Sequence, residues 1–441
     1  MVVLPLARVV DVTAPASSDK SFTHRAIMLA AMAEGSSEIF DPLEGEDCLA
    51  TLDVFWNMGV QRERSVESKG VCWRLSSPGM DHWQAPLKPQ DLGNSGTSAR
   101  LLLGLLAGGK NLRVTLTGDA SLRKRPMGRV VEPLRNMGAD ITGATNGNTL
   151  ELTITSQQLT SRTHYLDAPS AQVKSALILA GLSADGETII DLPQGGRDHT
   201  ENMLEALGAP IQIRNYLGRE RIFVTGPWRP RPFKCEVPSD PSSVAFFAGM
   251  AALHPGLRVK AHKVLRNKTR TGFFKCLEAM GVDVTWSDIV SRPEHLGEEV
   301  GTVSFLATGR PRAATVAASE AAMMLDEIPM LGAVCAMASG RSRIEGLGEL
   351  RVKESDRQTR IIELLTKAGV EARIDGDAIE IEGQAEINAF SFGSDDHRMV
   401  MTAMILATKG KAPSEITGIS WINTSFPLFL RAFQNINLGI Q

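Results

Sequence analysis

The sequence predicts an α/β protein built as two similar domains, and three observations carry that expectation. A polar opening followed by a small-residue apolar helix recurs six times, and each copy is followed by a second, more amphipathic helix. Two segments, Ala14 to Asp19 and Cys235 to Ser243, read as crossings that divide the six copies into threes. The interval is too long for a solenoid repeat, so the copies are helix-and-sheet modules.

Along the chain, Met1 to Val10 is apolar but short, carries Pro5 and Arg8 and runs into Asp11 with no cleavage site. It reads as a first strand and not as a signal peptide. The six openings follow: Ser18-Asp19-Lys20-Ser21, Asn94-Ser95-Gly96-Thr97, Ser170-Ala171-Gln172, Ser239-Asp240-Pro241-Ser242, Leu325-Asp326-Glu327 and Ser394-Asp395-Asp396-His397. The first helix of each module is apolar nearly all round, as in Met399 to Leu406, and such helices are buried. The second helix has a polar face and ends at a glycine in five copies, Gly59, Gly138, Gly208, Gly281 and Gly369. Glycine after the last periodic residue is a C-cap, and alternating segments behind it, such as Asp283 to Trp286, read as strands. The sixth partner, Phe426 to Asn435, lacks the tag. Three modules lie between the crossings, so residues 18–237 form an N-terminal domain. Residues 1–17 and 238–441 form the C-terminal one, with two strands joining the halves.

Composition narrows the function. The chain has 441 residues, 43% hydrophobic and 22% charged, an ordinary globular balance with room for a large core. A formal charge of -3 argues against a nucleic-acid surface, and no apolar run reaches the length of a bilayer span. Five scattered cysteines fit a reducing compartment and form no zinc-ligand pattern, and the eight histidines lack metal-ligand spacing. Phosphate-loop, dinucleotide and nucleophile-elbow signatures are absent, so no metal or cofactor is expected.

Cations stand where helices would not choose them. Helix N-termini favour carboxylates, yet Lys20 and Arg25 open the first buried helix, Lys174 lies one turn into the third and Arg398 precedes the apolar run of the sixth. Repeated in equivalent places, cationic mouths read as anion sites, although each cation singly reads as a snorkelling or paired side chain. Gly93 to Thr97 would let backbone amides approach a phosphate, and Arg123 to Gly128 is a basic turn. The run Arg351-Val-Lys-Glu-Ser-Asp-Arg357 crowds three cations and two carboxylates at a helix entry. Arg357 lines up with Ile361, Leu364, Leu365 and Ala368 and so points inward, with Lys353 a turn away. That is a substrate clamp, or a Glu354–Arg357 pair beside a solvated Lys353.

These motifs, with Lys124-Arg125-Pro126-Met127-Gly128, Ser170 to Ser175, Arg197-Asp198-His199-Thr200-Glu201, Asp326-Glu327 and Asp396-His397-Arg398, resemble the 5-enolpyruvylshikimate-3-phosphate synthase family over essentially the whole chain. Ser-Ala-Gln-Val-Lys-Ser and Arg-Asp-His-Thr-Glu look like its class II branch. The resemblance implies two domains of three βαβαββ units with the active site in the interdomain cleft. It also implies transfer of the enolpyruvyl group of phosphoenolpyruvate to the 5-hydroxyl of shikimate 3-phosphate.

By position, Lys20, Ser21, Arg25, Ser170, Ala171, Gln172, Arg197, Asp326 and Lys353 would hold shikimate 3-phosphate. Lys20, Gly96, Arg125 and Gln172 would meet the phosphate of phosphoenolpyruvate, and Arg357 and Arg398 its carboxylate. Asp326 would be the base, Glu354 the acid, and Lys20 would handle the phosphate proton. A monomeric cytoplasmic enzyme is implied, closing on small-molecule substrates and sensitive to glyphosate, with no nucleic-acid or membrane partner. One departure is Thr424 before Ser425-Phe426-Pro427, where many members carry lysine. Two rivals remain: a UDP-N-acetylglucosamine enolpyruvyl transferase, whose loop cysteine is missing between Gly118 and Pro126, and a non-catalytic sugar-phosphate-binding paralogue.

Overall fold

The computed structural model describes residues 1–6, 11–68 and 70–438, and they fall into two compact units. The N-terminal unit comprises Ser18–Val237 with Ser291–Glu298; the C-terminal unit comprises Met1–Ser17, Pro238–Val290 and Glu299–Gln441. The chain therefore passes between units four times, where the sequence suggested two crossings. The difference is the excursion at 291–298. Of the expected first strand, Val2–Val3 is extended and residues 7–10 lie outside the described part.

Helices of the N-terminal unit are α1 (Lys20–Met32), α2 (Glu46–Trp56), α3 (Gly96–Ala107), α4 (Gly128–Asn136), α5 (Ala171–Gly181) and α6 (His199–Ala206). Those of the C-terminal unit are α7 (Pro241–Leu253), α8 (Gly272–Ala279), the single turn α9 (Ala318–Ala321), α10 (Ile328–Ala336), α11 (Arg357–Lys367), α12 (His397–Ala407) and α13 (Phe429–Leu438). The module is clearest in the second copy. Gln90–Asp91 leads through α3 to its parallel partner Arg113–Thr117, and α4 then leads into an antiparallel hairpin of Asp140–Gly143 with Leu152–Thr155. Five modules have such four-stranded sheets, and the sixth replaces the hairpin with Val2–Val3 in a three-stranded sheet.

The crossing segments exchange strands. Lys234–Glu236, just before α7 in sequence, pairs with Glu34–Phe40 in the N-terminal unit. Val12–Thr13, just before α1, pairs with Arg258–Leu265 in the C-terminal unit. Each unit's first sheet is thus completed by the segment that leads into the other unit's first helix.

The polar openings are helix caps. The side chains of Asp19, Ser95, Asp240 and Asp396 accept from the backbone N–H of Phe22, Ser98, Ser242 and Arg398, each satisfying a donor the helix leaves open. The apolar first helices form the middle of each unit's core, and every residue of α7 is buried. Gly59, Gly138, Gly208, Gly281 and Gly369 all take positive φ, the left-handed stop that only glycine adopts without strain. Among the described residues no helix is long and apolar enough to cross a membrane.

Candidate active-site residues in each unit

In the N-terminal unit three helix openings carry the cations. Arg25, one turn into α1 and buried, donates through Nε to Thr200 Oγ1 at 2.7 Å, through one terminal nitrogen to Ser175 Oγ at 2.8 Å and through the other to the Ser21 carbonyl at 2.9 Å. Two hydroxyls and a carbonyl help to orient this guanidinium. Lys20 pairs with Asp47 at the start of α2. His24, a turn beyond Lys20, is held neutral: burial first, then Lys20 and Arg25, push its pKa well below the ordinary value.

Gln172, in the first turn of α5, donates to Thr97 Oγ1 at 3.0 Å and accepts from Arg100 at 2.7 Å. Arg125 donates to Asn94, which itself donates to Asp119 at 2.6 Å. Gly96 opens α3 between the two arginines: a Cβ there would lie 3.0 Å from a terminal nitrogen of Arg100 and equally close to one of Arg125. Ser170 precedes α5, and its side chain makes no capping bond. Ala171 begins that helix, and Arg197 stands half-buried two residues before α6.

Lys174 belongs elsewhere. It is fully buried, 2.5 Å from Glu201 and 3.0 Å from Glu220. Burial alone would lower its pKa, but the two carboxylates raise it, so it stays charged as an internal ion pair. For Lys174, then, the reading as a cationic helix mouth is corrected to a paired core cation. Burial pushes Glu201 up despite Lys174, as expected of a carboxylate with no exposure.

In the C-terminal unit the heptapeptide splits. Residues Gly348–Val352 form a short 3-10 turn, Asp356 caps α11 and the helix begins at Arg357. Lys353 therefore precedes the helix and does not share a helical face with Arg357. Arg357 does point inward, 1% exposed, and its guanidinium meets three carboxylates: Asp396 at 2.7 Å, Glu354 at 2.7 Å and Asp326 at 3.2 Å. Burial would lower its pKa, but Asp396, Glu354 and Asp326 together raise it. Burial would likewise raise Asp396, and Arg357 with His397 instead holds that carboxyl below its usual range. Ser355 also donates to Asp396 at 3.0 Å.

Asp326 stands just ahead of α10, whose cap position is Glu327. It faces Arg357, Lys353 at 3.5 Å and Arg398 at 3.8 Å, while Arg398 also donates to its backbone carbonyl at 3.3 Å. One carboxylate thus stands beside three cations, with a second carboxyl across the Arg357 guanidinium.

The chain matches the family model for EPSP synthase (3-phosphoshikimate 1-carboxyvinyltransferase) across residues 9–433. It belongs to the EPSP synthase family. A 3-phosphoshikimate 1-carboxyvinyltransferase of Acidiphilium cryptum is 41% identical over 425 residues, covering 96% of this chain and 94% of that protein. One of Thermus thermophilus is 40% identical over 421 residues, covering 94% and 93%. Among solved structures, an EPSP synthase from Acinetobacter baumannii superposes with a TM-score of 0.84 at 35% identity, covering 99% of this chain and 97% of that one.

Sequence reasoning missed Asp47, Arg100 and the anchoring role of Asp396. Arg100 lies one helical turn beyond Gly96, a spacing that could have flagged it. Asp47 gives no such signal, because its meeting with Lys20 is tertiary. Among the described residues one set has metal-ligand geometry: donor atoms of Asp198, His199 and Glu298 lie within 4.8 Å of one another. His199 Nδ1 and Glu298 Oε1 are hydrogen-bonded at 2.7 Å, so each already serves the other.

Proposed function

We propose that this enolpyruvyl transferase acts on shikimate 3-phosphate and phosphoenolpyruvate as a cytoplasmic monomer needing no cofactor. The 5-hydroxyl oxygen bonds to the phosphate-bearing carbon of phosphoenolpyruvate, and the methylene carbon gains a proton. Phosphate then leaves as the new methyl loses a proton, restoring the double bond. Asp326 takes the hydroxyl proton, Glu354 protonates the methylene carbon and Lys20 serves the departing phosphate.

Shikimate 3-phosphate is held by Lys20, Ser21, Arg25, Ser170, Ala171, Gln172, Arg197, Asp326 and Lys353. Phosphoenolpyruvate is held by Lys20, Gly96, Arg125 and Gln172 at its phosphate, and by Arg357 and Arg398 at its carboxylate. The observation that best supports this reading is Arg357 bridging Asp326 and Glu354, the proposed base and acid, through one guanidinium. A substrate carboxylate competing for that guanidinium would displace Glu354 and free it to act.

Phosphate release from phosphoenolpyruvate with shikimate 3-phosphate, with UDP-N-acetylglucosamine and with neither tests the assignment. Release with shikimate 3-phosphate alone is expected. Equal release with the UDP-sugar would move the chain to the sister reaction, and none with either would leave a binding protein.

A further inference from the structure

The run Arg197-Asp-His-Thr-Glu201 is singled out in the sequence, yet the proposed reaction uses only Arg197. The other members have work of their own in the first turn of α6. Thr200 accepts from Arg25 and lies 2.7 Å from Ser175 Oγ. Glu201 pairs with Lys174. His199 bonds Glu298 at 2.7 Å, the two side chains 0% and 2% exposed. That turn is therefore gripped from three sides, immediately after Arg197.

Glu298 comes from an unexpected place. It ends the segment Ser291–Glu298, grouped with the N-terminal unit, while the strands that flank it, Val282–Ser291 and Glu299–Ala307, are neighbours in a C-terminal sheet. Its neighbour Gly297 takes φ +83°, and a Cβ there would come within 2.7 Å of the Asn202 carbonyl of α6. The segment is thus seated against the helix that follows Arg197. Burying a carboxylate beside an imidazole costs several kcal/mol unless the pair is well made, so this contact is specific and not incidental.

We propose that His199 and Glu298 are positioning residues for shikimate 3-phosphate. Their bond seats the first turn of α6 and so sets Arg197 directly and Arg25 through Thr200. This inference rests on the proposed function.

The test uses the full-length protein, with shikimate 3-phosphate binding followed by calorimetry and KM and kcat measured for each substrate. Glu298→Ala and His199→Phe should each weaken shikimate 3-phosphate about tenfold while the KM for phosphoenolpyruvate and kcat move less than about twofold. His199→Asn, whose amide can still donate to Glu298, should recover most of the loss. The double variant should be little worse than either single one, because both break the same bond. Should His199→Phe fail to fold, Glu298→Gln, equal in shape but uncharged, gives the same reading at about threefold. Variants that lower both affinities equally, or that lose thermal stability with shikimate 3-phosphate binding intact, overturn the proposal. Wild type that binds no shikimate 3-phosphate instead overturns the function on which it rests.

Discussion

The two units surround their arginines differently. In the N-terminal unit Arg25, Arg100 and Arg125 donate to Thr200, Ser175, Gln172 and Asn94. In the C-terminal unit Arg357 sits among Asp396, Glu354 and Asp326. A hydroxyl or amide oxygen fixes the orientation of a guanidinium, whereas a carboxylate also offsets its charge and can itself take or give a proton. The two arrangements should therefore fail in different ways.

The largest difference should appear when one arginine is removed from each side. Arg357→Ala leaves buried Asp396 facing Glu354 and Asp326 without its counter-charge, and losing one partner of a buried ion pair costs roughly 3–5 kcal/mol. Chemical denaturation should show that loss, whereas Arg25→Ala, which strands the Thr200 and Ser175 hydroxyls and the Ser21 carbonyl, should cost less stability while weakening shikimate 3-phosphate binding. Equal losses would erase the distinction.

Next, Asp326→Ala and Glu354→Gln should each lower turnover by about a hundredfold or more with shikimate 3-phosphate still bound, as general acid–base roles require. Near-normal turnover in either variant would show that the proton-transfer role is wrongly placed.

A smaller effect is expected at Gly96. Alanine there crowds the ends of Arg100 and Arg125, which must give way by a few tenths of an ångström. Overpacking of this kind costs about 1–3 kcal/mol, roughly fivefold to somewhat more than a hundredfold in affinity. Glyphosate, the longer molecule, should lose more than phosphoenolpyruvate. Inhibition and Michaelis constants for wild type and Gly96→Ala decide it, and equal losses would show that the glycine serves both ligands alike.

Buried histidines give a contrast that appears only as the pH falls. His254 in the C-terminal unit is held down to about 3, chiefly by burial and then by Lys409, with Thr408 Oγ1 2.8 Å from its Nε2. Its folded pKa lies below the ordinary 6.5, so the unfolded chain binds the proton first. Stability from this group is complete above about pH 6.5 and falls by up to about 1.4 kcal/mol per pH unit as the pH drops toward 3. His254→Gln should flatten that slope. His24→Gln should flatten the acid slope of the N-terminal unit less when shikimate 3-phosphate is bound, because the ligand offsets Lys20 and Arg25. Unfolding curves between pH 7 and about pH 4 would reveal either slope, and an unchanged slope in His254→Gln would mean that this histidine is not neutral in the fold.

Much of this protein was legible in one dimension because its signals are local. Caps at Asp19, Ser95, Asp240 and Asp396, the positive-φ glycine stops and the all-apolar first helices each depend on a few adjacent residues, so the six modules could be counted from the chain. The inward turn of Arg357 followed from helical spacing alone. What the chain order could not reveal was which partner each charge meets. Lys174 and Arg25 look alike as cations opening buried helices, yet one meets two glutamates and the other meets hydroxyls. The sequence determined where the charges stand on their helices, through periodicity and capping. Only tertiary structure decided which groups each charge meets, because Asp47, Glu220, Glu298 and Asp396 arrive from elements tens to a hundred residues away, and electrostatic energy depends on distance in space.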